Sequence, residues 1–342
     1  MRRPCLALLG LLAASPAAAA DQPLFASDQP LRIELRGALP TLARGSRSQG
    51  KSIPATLKVN DETLPVTLAL RGITRLTKST CQFPPLRVSF AAPAPASSLF
   101  ASQDRLKLVT HCRQPEDFQQ FVLLEYTVYR LYNLLTPLSM RARLALIDYV
   151  DDKGTPFVSR YGFFIEDDGS AARRMGLRKA KVGTNVPLRQ IDPAAAARMV
   201  LFEYMIGNLD WALQAGAEGS ECCHNGRLVA PATLGGGLQP MPYDFDYSGF
   251  VNAPYAEPPD GFTISSVRER VYRGYCIHNA SVAVAARDFR AKRDLLLAEV
   301  ARTPGLAPKR LRDAQAYLGQ FFDEIATDQL VQSRILAKCL RP

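Results

Sequence analysis

The sequence is short of the residues that mark several large functional classes. It has only three histidines in 342 residues and no CxxC pair, which argues against the usual zinc arrangements. It has no block of lysine or arginine and no RNA-binding aromatic motif. Its net charge of +10 therefore describes a diffusely basic surface, open to phosphate-bearing ligands, with no nucleic-acid partner expected. No glycine-rich GxGxxG loop is present, and no internal repeat. Beyond the N-terminus no apolar run is long enough to span a bilayer, so no transmembrane segment is expected.

What is present begins with an export signal. "MRR" is a charged start, "CLALLGLLAA" an apolar centre and "SPAAAA" a small-residue end, so residues 1–20 read as a cleaved signal peptide containing Cys5. The mature chain is expected outside the cytoplasm, periplasmic or secreted. Six cysteines remain, and an even number in an exported chain implies disulfides. Cys81 with Cys112 is the favoured pair, since both end neighbouring strand-like segments. Cys276 is expected to join Cys222 or Cys223.

Apolar residues make up 47% and charged residues 22%, the balance of a globular chain with a substantial core. Residues 21–110 read as short strands: "LRIELRG", "ATLKVN", "LPVTLALRG", "PPLRVSF" and "RLKLVTHC". A helix over about 118–135 follows from the spacing of Phe121, Leu124, Val128, Leu131, Tyr132 and Leu135. Glu125 lies on its apolar stripe, where a carboxylate needs a partner; Arg130 and Arg143 are structural candidates. "RLALIDYV" and "VSRYGFFIE" add two strands around the turn "DDKGTP". From Asp192, a good N-cap followed by Pro193, the chain turns helical. Two short strands, "CHNGRLVAP" and "GLQPMPYDFD", interrupt it, and two amphipathic helices end it. The expected division is a β-rich unit over 21–170 and a mainly helical unit over 171–342, with a ligand cleft between two lobes.

Three stretches of the second unit carry chemistry: "GNLDW" (207–211), "CHN" (223–225) and "PYDFD" (242–246). A carboxylate at a helix end can orient a hydroxyl and take its proton. An amide oxygen and further carboxylates suit a hard divalent cation. Together with "LRGITRLTKS", "RLKLVTHC", the Glu125 helix and "GFFIEDD", their order resembles the CotH family of atypical kinase-like proteins and, more distantly, secretory-pathway kinases.

The resemblance implies an α+β, two-lobed, protein-kinase-like fold and a phosphotransferase that uses Mg²⁺ or Mn²⁺ with ATP or another nucleoside triphosphate. The acceptor would be a protein or glycan hydroxyl of the cell envelope. Asp210 would be the catalytic aspartate; Asn225, Asp244 and Asp246 would hold metal. Glu125 would pair with a phosphate-binding lysine, Lys107 first, with Lys78 and Arg71 as alternatives. Glu166 would sit where the backbone meets the base. The chain departs from the kinase pattern in its basic "RGITRLTK" loop, in Trp211 after the aspartate, and in Asp246 where kinases have glycine. A catalytically inactive envelope-binding protein and a metal-dependent hydrolase are the competing readings.

Overall fold

The computed structural model describes residues 22–45, 51–231 and 237–341; the expected signal segment, with Cys5, lies outside them. Among the described residues of 31–165 there are seven strands and two α-helices: β1 (Leu31–Gly37), α1 (Leu39–Arg44), β2 (Ser52–Val59), β3 (Glu62–Leu70), β4 (Leu86–Phe90), β5 (Arg105–Val109), α2 (Gln119–Leu135), β6 (Ala142–Val150) and β7 (Pro156–Ile165). The strands run in the order β1-β2-β3-β4-β5-β7-β6 and close on themselves into a barrel. All pairs are antiparallel except β1 with β6, where Leu31 lies opposite Ala145 and Arg36 opposite Val150.

Alternation along each strand fills the barrel. Ile33, Leu35, Leu57, Leu68, Val88, Leu106, Leu108, Ile147 and Phe164 form one buried cluster. The outward faces of β6 and β7 are buried too, because Leu144, Phe163 and Ile165 pack on α2 and belong to the second, larger core. The β6–β7 hairpin is thus a shared wall.

The closed seven-stranded barrel overturns the two-lobed, kinase-like fold expected from the resemblance. The physical reason is non-local. Alternation marks β1 as a strand, but its parallel pairing with β6 lies across the whole intervening segment, and local pattern carries no sign of it. Closure also removes the sheet edges that an open lobe would expose.

The remainder is not simply helical. It holds α3 (Asp168–Arg174), β8 (Leu177–Lys179), α4 (Pro193–Ile206), β9 (Gly226–Pro231), β10 (Gln239–Pro242), α5 (Asn279–Ala291), α6 (Arg293–Ala301) and α7 (Pro308–Glu324). The strands make a small sheet in the order β10-β9-β8, three members where two were expected. Among the described residues the tail has α5, α6 and α7 where two helices were expected, since α5 ends and α6 starts about Lys292, and short helical turns over Asp328–Leu330, Val331–Ile335 and Leu336–Lys338 follow them.

The start of α4 follows its sequence signals: Asp192 accepts a hydrogen bond from the Ala195 amide at 2.7 Å, and Pro193 opens the first turn. The helix is buried from Ala195 to Ile206 except at Arg198, as the central element of the larger core. Gly207 ends it in the left-handed region, φ 64°, and a Cβ there would strike the Tyr317 hydroxyl. Gly207→Ala is expected to lower stability by at least about 1–2 kcal/mol. Urea unfolding should show an earlier midpoint with an unchanged slope.

Cys81 is joined to Cys112. Cys276 is joined to Cys339, and Cys222 to its neighbour Cys223, which corrects the expectation that Cys276 meets one of that pair. The cause is the C-terminal tail. It lies beside residues 274–276, where the Cys276 amide donates to the Leu340 carbonyl at 2.9 Å and the Leu340 amide to Gly274 at 2.8 Å.

Candidate functional site

Four segments meet at the site: α2, the loop after β3, and the two ends of the β9–β10 hairpin, one of them reached through the loop from α4. The first is α2. Glu125 and Tyr129 stand one turn apart on one face, both buried. The second is the exit of β10. The Asp244 amide donates to the Tyr129 hydroxyl at 3.1 Å, which fixes the turn against α2. Glu125, Asp244 and Asp246 thereby bring carboxylate oxygens within 4.8 Å of one another, a set able to hold a metal ion. Oxygen donors of this kind suit hard divalent cations. One Glu125 oxygen, Oε1, is buried with no hydrogen-bond partner.

The third segment, the loop after β3, inserts a cation. Arg75 is 7% exposed and contacts all three acids: Nη2 to Asp244 Oδ1 at 2.6 Å, Nε to Asp246 Oδ2 at 3.4 Å, and Nη1 to Glu125 Oε2 at 3.6 Å. Burial alone would lower its pKa, but the three carboxylates outweigh it and raise the value well above normal. Burial pushes Asp246 up to about 6 in spite of Arg75, and it pushes Glu125 well above the carboxylate range. Burial acts the same way on Asp244, yet there Arg75, Arg71 and Lys107 win and hold it low. The Asp246 carboxylate also accepts from the Tyr255 hydroxyl at 2.9 Å.

The fourth segment is the loop from α4 to β9. An antiparallel hairpin sets its entry beside its exit, so Asn225 before β9 lies next to Tyr243 after β10; the Tyr243 amide donates to the Asn225 carbonyl at 3.0 Å. Asn225 Nδ2 donates to Asp210 at its carbonyl, 2.7 Å, and at Oδ2, 2.9 Å. His224 Nε2 lies 2.6 Å from Asp210 Oδ1, and this bond raises the His224 pKa. Asn225 and Asp244 are both left-handed, φ 48° and 67°. For side-chained residues this is costly, and such positions concentrate at functional sites.

The Asp210 loop is itself braced. The Asp210 amide donates to Asn208 Oδ1 at 3.0 Å, and the Trp211 indole donates to the Asn208 carbonyl at 2.9 Å. Arg273 donates to the Leu209 and Trp211 carbonyls, both at 2.6 Å. Trp211 is thus a packing and positioning residue.

Other cations gather beside Asp244. Lys107 on β5 and Arg227 on β9 lie 4.5 and 4.6 Å from the centre of the Tyr243 ring. Burial lowers Lys107 to about 8, with Arg71 adding to the fall. Burial likewise lowers Arg71, against the pull of Asp244.

Asp210, Asn225, Asp244, Asp246, Glu125, Lys107 and Arg71 are therefore neighbours in one site. Two expected members stand elsewhere. The exposed Lys78 donates to the Arg44 carbonyl at 3.0 Å, turned to the outer end of the loop. Glu166 is fully buried and engaged by Arg174 at 3.0 and 2.9 Å and by the Arg141 amide at 2.9 Å, so it braces the end of β7. The partner of Glu125 is also corrected. It is Arg75, and neither Lys107, Arg130 nor Arg143; Arg130 is held by Asp28 and Glu299.

Sequence reasoning missed Arg75, Tyr129, Tyr255 and Arg227. The signal for Arg75 was indirect: a buried carboxylate on α2 requires a cation, and "RGITRLTK" is a basic loop with three candidates. No helix among the described residues is long and apolar enough to cross a membrane. Compared with known protein families and with curated proteins, the chain finds no match in either.

Proposed function

We propose that this protein is a phosphotransferase acting outside the cytoplasm, moving a phosphoryl group from ATP or another nucleoside triphosphate to a protein or glycan hydroxyl of the cell envelope. The single observation that carries the reading is the meeting of Asp210, through Asn225 and the β9–β10 hairpin, with the acidic set of Glu125, Asp244 and Asp246. The order of "GNLDW", "CHN" and "PYDFD", which resembles that of the CotH family, supports the same assignment, and the N-terminal segment and the cysteine pairs support export.

Each residue has a role that its surroundings allow. Asp210 accepts the proton of the acceptor hydroxyl as the acceptor oxygen forms its bond to the γ-phosphorus and the bond to the departing nucleoside diphosphate breaks. His224 and Asn225 hold the two carboxylate oxygens of Asp210 in place. Lys107 and Arg71 supply positive charge toward the phosphates. Glu125, Asp244 and Asp246 would hold Mg²⁺ or Mn²⁺, with Asn225 beside them. When bound, the cation neutralises charge on the phosphates.

One observation favours the second reading, a nucleotide-free binding protein: a guanidinium already sits among the acids. Thermal-shift titration separates the two. Wild type is expected to melt later with ATP only when Mg²⁺ or Mn²⁺ is present. At a ligand concentration of 100 times Kd the gain is about 2.7 kcal/mol. Asp244→Ala should lose that gain. No shift with any nucleotide sinks the proposal.

A further inference from the structure

Arg75 and a metal ion want the same place. The guanidinium touches Asp244, Asp246 and Glu125, the same three residues whose oxygens lie within 4.8 Å of one another. Two cations cannot share so small a space without strong repulsion.

The fit of the guanidinium is also partial. Only its contact with Asp244, at 2.6 Å, is within hydrogen-bond range; those to Asp246 and Glu125 are 3.4 and 3.6 Å. Glu125 Oε1 stays buried and unpartnered. Arg71 and Lys107 bear on Asp244, but as ion pairs among the described residues Glu125 and Asp246 have only the long contacts with Arg75, and a divalent ion held by oxygens of all three would fit the cluster more closely than the guanidinium does.

Arg75 is carried by a loop and not by a strand of the barrel. The loop between β3 and β4 spans residues 71–85, and Arg75 is the one buried residue of its first part, 71–80. Its neighbour Ile73 is 83% exposed. The loop's ends are held independently of Arg75: the Arg71 amide donates to the Pro85 carbonyl at 3.0 Å, and Cys81 is joined to Cys112.

We propose that Arg75 is a tethered counter-cation that leaves the acidic site when a divalent ion enters and then contacts the phosphates of the incoming ligand. Cation and phosphate binding are then mutually dependent: the phosphate gives the displaced guanidinium a bidentate partner, and the cation removes its old one. This rests on the phosphotransfer reading and adds a phosphate-contacting residue to it.

The test is Mn²⁺ binding followed by the EPR signal of free Mn²⁺, with and without inorganic triphosphate. In wild type, protein-bound Mn²⁺ should be weak alone and tighten roughly 5–150-fold with triphosphate, after correction for Mn²⁺ held by triphosphate in solution. Arg75→Met should bind Mn²⁺ tightly without triphosphate and lose most of the coupling. The wild-type arm stands alone should Arg75→Met fail to fold. Equal Mn²⁺ affinity in wild type with and without triphosphate overturns the coupling while leaving a metal site. Absence of Mn²⁺ binding in folded wild type and folded Arg75→Met overturns the phosphotransfer reading as well.

Discussion

Asp210→Asn is expected to lower nucleotide-dependent phosphotransfer by ~10²–10⁴-fold, the span that a positioned proton acceptor contributes. Asparagine keeps the size of the side chain and some of its bonds to His224 and Asn225, but it cannot take a proton from a hydroxyl. Cation binding should survive, because the acidic set comes from α2 and the β10 exit. A second readout is independent of turnover. The Asp210 bond is the main cause of the raised His224 pKa, with burial opposing it, so His224 should titrate lower in the variant. Initial rates and NMR titration of the imidazole check the two parts. An unchanged rate removes Asp210 from the chemistry.

Glu203→Gln should stabilise the protein strongly at alkaline pH and hardly at all in acid. Glu203 is on α4, wholly buried, and neither carboxylate oxygen has a hydrogen-bond partner. Burial pushes its pKa up to about 8. The Asn208 amide and Arg273 pull it back only in part; Asn208 makes no well-formed bond to it. The native state thus keeps a proton that the unfolded chain releases near its ordinary value. Stability is fully present below that ordinary value and falls as pH rises through about 8. The loss is about 1.4 kcal/mol for each unit separating the two values, several kcal/mol at pH 9. Glutamine removes the titration. Urea unfolding of both proteins between pH 5 and 9 decides it; a difference that does not change with pH rules out a buried carboxyl as its source.

Local elements were legible where the physics is local. The α2 stripe, the Asp192–Pro193 start of α4 and the strands of the barrel all follow from periodicity and caps. Barrel closure was not, because β1 pairs with β6 across all the intervening strands and α2, a contact that no local pattern records. The pairing of Cys276 failed for the same reason, since the tail that carries Cys339 returns from the far end of the chain.

At the site, the acids were legible and their cation was not. "PYDFD" and the misplaced Glu125 announced carboxylates at a site, two of them, Glu125 and Asp246, buried. "RGITRLTK" offered Arg71, Arg75 and Lys78 without periodicity to say which turns inward, and a 3₁₀ turn over Thr74–Leu76 makes it Arg75. The resemblance alone sets Glu166 beside the base, with no residue pattern to check it; α3 folds back and brings Arg174 onto it.

The central claim is that Glu125, Asp244 and Asp246 hold a divalent cation in contact with the phosphates of a nucleotide. Pulsed EPR of Mn²⁺ with a non-hydrolysable ATP analogue tests it directly, through the hyperfine coupling between ³¹P and protein-bound Mn²⁺. The expected result is a ³¹P coupling in wild type, with protein-bound Mn²⁺ lost in Asp244→Ala. Protein-bound Mn²⁺ without ³¹P coupling, or coupling unchanged by Asp244→Ala, would contradict the account.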